Sequence, residues 1–211
     1  MQTPTSTLTR LASLIFMIAV TPLAAQQTEN YELPALPASD PVVVDASLDE
    51  WDLSGKILVC PDLGKELDVH AVRVAAQYDE QNLYMAFRFV DRTPMINNIN
   101  PISDPGAGWR SDGTEIRMLL DDRTIHLQPW YFTEEERPTL YLRYSPAEDI
   151  RLRRDEWVII PEALEKGAQL AFREHEDGKG YTQEMALPWS LLTMDGRALE
   201  AGDTMGLGLQ V

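Results

Sequence analysis

The feature that most constrains the fold of this chain is an alternation of apolar and other side chains with a period of two, which is typical of β-strands. Residues 71–78 and 83–89 alternate in this way on either side of the polar turn 79–82, a pattern that predicts a β-hairpin. Residues 113–120 continue the alternation. The side chains that we expect to line the core are Val72, Val74, Phe87, Phe89, Ile116, Met118 and Leu120.

The remainder of the chain also favours short strands over helices. Only residues 161–166 and 188–192 carry helical signals, each about one turn long, and 14 prolines and 12 glycines suggest many turns. We therefore predict an all-β fold, an antiparallel β-sandwich. Further strands are expected near residues 124–132, 139–144, 156–160, 168–174, 180–187 and 204–211. The last of these stops without a turn or polar tail, which fits either a terminal strand in the sheet or a domain truncated at its carboxyl end.

The first 25 residues have the pattern of a secretory signal peptide. Arg10 is the only charged residue before Glu29, and the apolar run at 11–20 precedes small residues at 23–25 that suit a signal peptidase. That run is too short to span a bilayer, which takes about 20 residues. We expect a signal peptide at 1–25, a polar, proline-rich linker at 26–41 and one domain at 42–211. The mature protein should be periplasmic or secreted and not membrane-bound.

Charge and cysteine content exclude several classes of partner. The chain has 34 acidic and 18 basic residues, a net charge of -16, which disfavours binding to nucleic acid and to anionic lipid. Its single cysteine, Cys60, cannot form an internal disulfide, and we interpret it as a small buried apolar side chain. We expect a monomer.

The residues that could support catalysis form no recognisable set. His70, His126 and His175 lie outside any GxSxG, HExxH or paired-histidine pattern, and we expect structural roles for the first two. Carboxylates are so abundant that a chance pair is expected. The sequence therefore predicts a noncatalytic protein.

The long polar loop at 91–112 contains the most informative side chain, Trp109. An indole packs well against the apolar face of a pyranose, and loops on a rigid β scaffold commonly carry binding groups. Arg110, Asp112, Glu115 and Arg117 follow it and can form forked hydrogen bonds with sugar hydroxyls. The alternative is that Trp109 caps an edge of the sandwich and these charges form a solvated face.

Five segments in this order resemble the family-nine carbohydrate-binding modules, which belong to the wider group of DOMON-like β-sandwiches. They are VDASLDEW (44–51), AVRVAAQYDEQNLYMAFRFVD (71–91), GWRSDGTEIRMLLDD (108–122), GYTQEMALPWSLL (180–192) and GDTMGLGLQV (202–211). The resemblance covers about residues 42–211, with an irregular middle at 123–179. It implies a β-sandwich that grips the terminal sugar of a polysaccharide or oligosaccharide between two tryptophans, often with structural calcium.

The resemblance also implies a set of site residues. Trp109, Asp112 and Glu115 match the order of the first clamp tryptophan, an acidic residue and a strand glutamate, and Tyr141 and Arg143 match polar residues of the neighbouring strand. With Arg110, these form the predicted carbohydrate site. The family's second clamp tryptophan lies beyond the strand that 206–211 resembles. That half of the grip is therefore missing or supplied by another residue, for which residues 130–132 are candidates. The tryptophans that match structural tryptophans of the family are Trp51 and Trp189.

The sequence alone does not decide between the presence and absence of two cofactors, calcium and haem. Asp45, Asp49 and Glu50 cluster in a turn, and carboxylate oxygens are what calcium prefers, although such turns are usually only solvated. The same fold group includes haem-binding electron-transfer domains, and Met95 with His70 or His126 could ligate a b-type haem. A third alternative is a structural module of a larger exported assembly. No cofactor is required by the carbohydrate-binding interpretation.

Overall fold

Strands account for nearly all of the regular structure in residues 27–147 and 158–210, which the computed structural model of the chain describes. The first sheet, sheet A, contains β1 (Ala35–Pro37), β2 (Ile57–Val59), β3 (His70–Tyr78), β4 (Asn82–Asp91), β9 (Gln169–Glu174) and β10 (Tyr181–Pro188). The second, sheet B, contains β5 (Glu115–Leu120), β6 (Arg123–Phe132), β7 (Arg137–Pro146), β8 (Val158–Ile160) and β11 (Gly206–Gln210). Single helical turns lie at Leu53–Gly55, Gly108–Arg110, Thr133–Glu135, Ala163–Lys166 and α1 (Trp189–Leu192).

The two sheets form an antiparallel β-sandwich. Sheet A has the order β1-β3-β4-β10-β9, with β2 also paired to β3, and sheet B has the order β11-β5-β6-β7-β8. Neighbouring strands are antiparallel, except that the short β1 runs parallel to β3. The all-β sandwich that the period-two pattern predicted is confirmed.

The core lies between the sheets. Val72, Val74 and Phe87 of sheet A pack in one cluster with Ile116 and Met118 of sheet B, and all five are essentially inaccessible to solvent. Phe89 is also buried, whereas Leu120, which was expected in the same core, is only partly buried at the end of β5. Burial of this continuous apolar layer is the main stabilising contribution to the fold, since the one cysteine, Cys60, is free and buried.

Tight turns fix the register of the hairpins. Between β3 and β4, Asp79 accepts hydrogen bonds from the backbone N–H groups of Gln81 and Asn82, both at 2.7 Å. Between β5 and β6, the two-residue turn places Asp121 and Asp122 at φ values of 51° and 56°, the left-handed conformation that a type I′ turn requires. Register matters here because a shift of one residue would exchange the faces of β6.

Chain segments cover parts of both outer faces. On sheet A, residues 42–53 pack over Ala75, Tyr84 and Ala186. The fully buried Glu184 holds this segment, because its carboxylate accepts hydrogen bonds from the backbone N–H of Ala46 (2.7 Å) and the indole of Trp51 (2.9 Å). On sheet B, the loop at 92–112 packs over one end of β6 and β7.

Two elements differ from the sequence expectations. Residues 26–41 were predicted to be a linker, whereas part of this stretch forms β1 and pairs with β3. Strand β2 was not predicted, because three residues are too few to show a period. The predicted signal peptide at 1–25 lies outside the described residues. Among the helices that the structure describes, none is long and apolar enough to cross a membrane.

Candidate functional site

The outer face of sheet B carries a patch of polar side chains in place of the apolar ones on its inner face. The observed register makes Arg117 of β5 and Arg143 of β7 the two cross-strand neighbours of His126 on β6. Gln128 and Tyr141 form the adjacent pair, and Glu115 lies beside them on β5. We call these six residues the sheet B polar network.

Glu115 is the centre of this network. Its Oε1 accepts hydrogen bonds from His126 Nε2 and Gln128 Nε2, both at 2.9 Å, and its Oε2 accepts one from Arg117 at 3.2 Å. Three donors from two strands therefore fix the carboxylate in one orientation. The side chain of Glu115 is 11% exposed and that of Arg117 is 47% exposed, so the guanidinium of Arg117 is the part of the network that solvent reaches most easily.

His126 is neutral in this arrangement. Arg143 donates to its Nδ1 at 2.9 Å, and because a guanidinium can only donate, the ring proton must be on Nε2, where it is given to Glu115. Burial lowers the pKa of His126 to about 4, and the positive charge of Arg143 acts in the same direction, against the opposing effect of Glu115. The imidazole thus connects the carboxylate to the guanidinium without adding a charge.

Tyr141 and Arg143 form the second part of the network. The phenol of Tyr141 is hydrogen-bonded to Arg143, and burial raises the pKa of Tyr141 and lowers that of Arg143. Since an arginine stays protonated in proteins, a cation and a phenol lie side by side here. The predicted site residue Tyr141 is only 4% exposed, in a cluster with Ile99 of the covering loop, and Arg143 is partly buried. Planar polar groups of this kind suit the paired hydroxyls of a sugar.

Trp109 lies on the short helical turn Gly108–Arg110 that precedes β5, and it is exposed. Its exposed fraction is 55%, whereas the other tryptophans that the structure describes are buried: Trp51, Trp130 and Trp189. The guanidinium of Arg110 lies 5.6 Å from the centre of its ring and also pairs with Asp104 at 3.2 Å. Trp109 is therefore not part of the buried core, and its role in binding stays a prediction.

Close contacts with the side chains of Trp130 and Tyr141 fix the segment that leads into Trp109. The backbone of Gly108 lies so close to the ring of Trp130 that a Cβ there would be 2.6 Å from a ring carbon, and a Cβ at Gly106 would lie 3.9 Å from Tyr141. Both glycines precede Trp109, so the segment that leads into it packs against Trp130 and lies close to Tyr141, a member of the sheet B polar network.

Buried hydrogen bonds between its two ends fix the conformation of the loop at 92–112. The amide of Asn97, which is fully buried, donates to the carbonyl oxygens of Gly108 and Asp112, both at 2.8 Å. Asp112 Oδ2 in turn accepts from the backbone N–H of Ile96 at 2.8 Å, and burial raises the pKa of Asp112. The predicted site residue Asp112 therefore has a role in closing the loop at the base of Trp109.

The six predicted site residues fall into two adjoining groups. Glu115, Tyr141 and Arg143 belong to the sheet B polar network, whereas Trp109, Arg110 and Asp112 lie in the covering loop. The sequence-based set omitted His126 and Gln128. A signal for them was present in the sequence. The turn at Asp121 and Asp122 sets the register between β5 and β6, and in that register the alternation of β6 places His126 and Gln128 on the same face as Glu115.

Two of the three candidates for a second aromatic wall, residues 130–132, are not accessible, and the third, Tyr131, is partly buried with its ring 5.8 Å from that of Phe172. Trp130 and Phe132 are each 1% exposed and lie beneath the loop, so they cannot stack on a ligand in this conformation. Trp51 and Trp189 are only 8% and 2% exposed, as expected for structural tryptophans. In the part of the chain that the structure describes, Trp109 is thus the one tryptophan able to stack on a sugar.

The acidic turn predicted to bind calcium uses its oxygens locally. Asp45 accepts from the backbone N–H of Ser47 at 2.7 Å and lies 3.5 Å from Arg173, and Asp49 accepts from the hydroxyl of Ser47 at 2.7 Å. Glu50 accepts from the backbone N–H of Val43. Within the described ranges, no group of three or more His, Cys, Asp or Glu side chains is arranged to hold a metal ion. Calcium binding by this turn stays a prediction.

The haem alternative stays a prediction as well, although the geometry of one proposed ligand is unfavourable to it. Both ring nitrogens of His126 are engaged, one with Glu115 and one with Arg143, so iron coordination would have to replace a charge-assisted hydrogen bond. His70 is exposed at the start of β3. Met95 packs against the core at a positive φ of 59°.

Neither the models of known protein families nor the curated proteins match this chain.

Proposed function

We propose that this chain is a noncatalytic carbohydrate-binding module that recognises the terminal sugar of a polysaccharide or oligosaccharide. The observation that carries the proposal is the exposed indole of Trp109, on a turn whose preceding glycines pack against Trp130 and lie close to Tyr141. An indole face stacks against the C–H face of a pyranose, and the neighbouring polar groups hydrogen-bond to its hydroxyls. The resemblance of residues 44–51, 71–91, 108–122, 180–192 and 202–211 to the family-nine modules supports the same conclusion.

The chemistry of the network favours binding over catalysis. Both oxygens of Glu115 accept hydrogen bonds, and His126 already donates to one of them and accepts from Arg143. A general base needs a free lone pair within reach of the proton that it removes. Three of the roughly four lone-pair sites of the Glu115 carboxylate are thus occupied. His126 and Gln128 are at most 4% exposed, so the guanidinium of Arg117 is the group of this network that a ligand reaches most easily.

The predicted affinity is low. One aromatic wall leaves the other face of the sugar in water, so we expect a dissociation constant of about 1 mM. The periplasmic or secreted location proposed from residues 1–25 is compatible with a polysaccharide ligand that cannot enter the cell.

The proposal is tested by titrating monosaccharides and oligosaccharides of glucose and xylose into the protein by calorimetry. Trp109→Ala should remove the heat of binding, because the stacking surface is lost, while the melting temperature stays within about 2 °C of that of the original chain. Trp109→Phe is the matched control and should retain weaker binding. If Trp109→Ala unfolds the domain, or if its binding is unchanged, the site assignment is wrong.

A further inference from the structure

The outer face of sheet A carries a row of arginines that crosses four strands. Arg73 of β3 lies directly opposite Arg88 of β4 in the observed register. Thr182 of β10 is the next residue of the row, and Arg173 of β9 follows it. All four alternate with side chains of the core, such as Phe87, so they lie on the outer face. We call Arg73, Arg88, Thr182 and Arg173 the sheet A basic row.

Two of these arginines have no counter-ion among the described residues. Arg73 and Arg88 are exposed, and their guanidinium groups form neither a hydrogen bond nor an ion pair with any described residue. Like charges directly opposite each other on neighbouring strands are destabilising. Arg173 differs, because it donates to the carbonyl oxygen of Asp45 at 2.9 Å and lies 3.5 Å from its carboxylate. Arg73 and Arg88 are thus an uncompensated pair of positive charges in a chain whose net charge is -16.

A histidine beside the row is affected by this charge. His175 is hydrogen-bonded through Nε2 to the hydroxyl of Thr182 at 3.2 Å. Burial lowers the pKa of His175, and the positive charge of Arg88 acts in the same direction, against the opposing effect of Asp177. The charge of Arg88 therefore acts on groups beside the row, as it would on an approaching ligand.

The surface around the row favours a ligand that binds through charge. None of the described strands β3, β4, β9 and β10 carries an exposed large apolar side chain. The centre of a protein–protein interface is usually apolar and poor in charge, so this face does not resemble one. The fork of an arginine instead matches the oxygens of a carboxylate or of a tetrahedral oxyanion such as a sulfate ester.

The spacing of the row favours a ligand that has several anionic groups. Neighbouring strands are about 4.8 Å apart, so Arg88 and Arg173, which are separated by β10, lie about 10 Å apart along the row. One small anion can contact Arg73 and Arg88 together, but it does not also reach Arg173, whose guanidinium is held at Asp45. A linear chain with an anionic group on successive units can contact both ends of the row.

The negative charge of the whole chain weakens such binding without preventing it. At an ionic strength of about 0.15 M the Debye length is about 8 Å, so exposed carboxylates farther than this from a bound anion are largely screened. Direct contacts with Arg73 and Arg88 are screened much less. Binding through the row should therefore be modest in affinity and sensitive to salt.

We propose that the sheet A basic row binds an acidic polysaccharide, with Arg73 and Arg88 sharing one sulfate or carboxylate group and Arg173 contacting another farther along the ligand. The row lies on sheet A, whereas Trp109 lies in the loop over sheet B, so the inference does not rest on the proposed function.

The probes are fluorescently labelled hexasaccharides of chondroitin sulfate and of polygalacturonic acid, with cellohexaose as the neutral control, and binding is followed by fluorescence polarisation. At least one acidic probe should bind with a dissociation constant of about 10–500 μM at about 50 mM salt, and cellohexaose should bind at least about tenfold more weakly. Raising the salt to about 200 mM should weaken the acidic probe about tenfold, as expected for two or three anionic contacts. The acidic probe that binds more tightly shows whether the row prefers sulfate or carboxylate.

The double variant Arg73→Gln/Arg88→Gln should weaken binding of the acidic probe at least about tenfold, because both uncompensated guanidiniums are lost. Arg73→Gln alone should give a smaller loss, so the test does not depend on the folding of the double variant. The matched control is Lys166→Gln/Arg197→Gln, which removes two positive charges from exposed side chains outside the strands of sheet A. It should bind within about twofold of the original chain.

Trp109→Ala separates the two proposed sites. It should bind the acidic probe as the original chain does, whereas Arg73→Gln/Arg88→Gln should retain the response of the Trp109 indole to neutral saccharides. The acidic-polysaccharide proposal and the proposed function can therefore fail separately.

Three results would overturn the proposal directly: no binding of either acidic probe up to about 5 mM, equal losses in the row and control double variants, or an equal loss in Trp109→Ala. Three others would overturn it by assigning the row to another ligand. Inorganic sulfate that binds as tightly as the hexasaccharide would indicate a small-anion site, and a polyglutamate peptide that binds more tightly would indicate an acidic protein. A concentration-dependent dimer that is lost in Arg73→Gln/Arg88→Gln would indicate a second copy of this chain.

Discussion

For His126, the sequence predicted a structural role correctly but did not predict that the residue belongs to the sheet B polar network. Its position in a strand predicted a structural histidine, and it is buried, as that role requires. The structure adds that its two ring nitrogens connect Glu115 to Arg143 on the outer face of sheet B. No property of the residue type predicts this, because the partners come from two other strands and depend on register.

The neutral state of His126 predicts a pH dependence of stability. Burial lowers its folded-state pKa to about 4, below the ordinary value of 6.5, so between these values the unfolded chain binds a proton that the folded chain does not. Stability should therefore fall as the pH decreases from 6.5 to 4, with a contribution from this residue on the order of 3 kcal/mol.

The measurement is urea unfolding at several pH values for the original chain and for His126→Gln. The difference in unfolding free energy between the two should become smaller as the pH is lowered through this window. His70→Gln is the control, because His70 is an exposed histidine at the start of β3. A constant difference for His126→Gln would show that the histidine is not held neutral.

At the scale of elements, the hairpins were predictable and the covering segments were not. The runs at 71–78, 83–89 and 113–120 correspond to β3, β4 and β5 because alternation with a period of two directly reports a half-buried strand. The loop at 92–112 has no period, and its placement depends on the buried amide of Asn97 and on the contact of Gly108 with Trp130. Such long-range contacts leave no local signal in the sequence.

The contact between Gly108 and Trp130 predicts different effects for two similar substitutions. Gly108→Ala should displace the turn, because its Cβ would lie 2.6 Å from a carbon of the buried Trp130 ring, and should cost about 1–3 kcal/mol. Gly106→Ala should be tolerated, because its Cβ would be in ordinary contact with Tyr141 at 3.9 Å.

Thermal unfolding measures the cost, and the fluorescence of Trp109 reports the displacement of the turn. Gly108→Ala should also weaken saccharide binding more than Gly106→Ala does, since the indole moves relative to the sheet B polar network. Equal stability and equal binding of the two variants would contradict the description of Gly108 as the anchor of the loop.

For the whole molecule, composition and the period of the apolar pattern together predicted the fold class but not the strands β1 and β2 at one edge of sheet A. Most of the predicted core residues, the β3–β4 hairpin and the predominance of strands in residues 27–147 and 158–210 all follow from local pattern. Strand β1 did not, because Pro34 and Pro37 and the polar residues around them resemble a linker. Strand β2 did not, because three residues are too few to show a period. Their stability comes from pairing with β3, a contact at long range in sequence.

Export is a property of the whole chain, and it has a direct test. Expression in a bacterial host with its native leader should give a periplasmic or secreted product that lacks residues 1–25, because the apolar run and the small residues at 23–25 fit a signal peptidase site. Intact-mass spectrometry of the product measures the cleavage position. A cytoplasmic product that retains Met1 would contradict export.

The central claim is that a saccharide stacks on Trp109, and the most direct measurement is a titration followed by NMR of the indole N–H signals. The Trp109 signal is identified by its absence from the spectrum of Trp109→Ala. We predict that this signal shifts progressively as a glucose or xylose oligosaccharide is added, whereas the signals of the buried Trp51, Trp130 and Trp189 stay in place. A saccharide that shifts a buried indole but not Trp109, or a series of saccharides that shifts none, would contradict the claim.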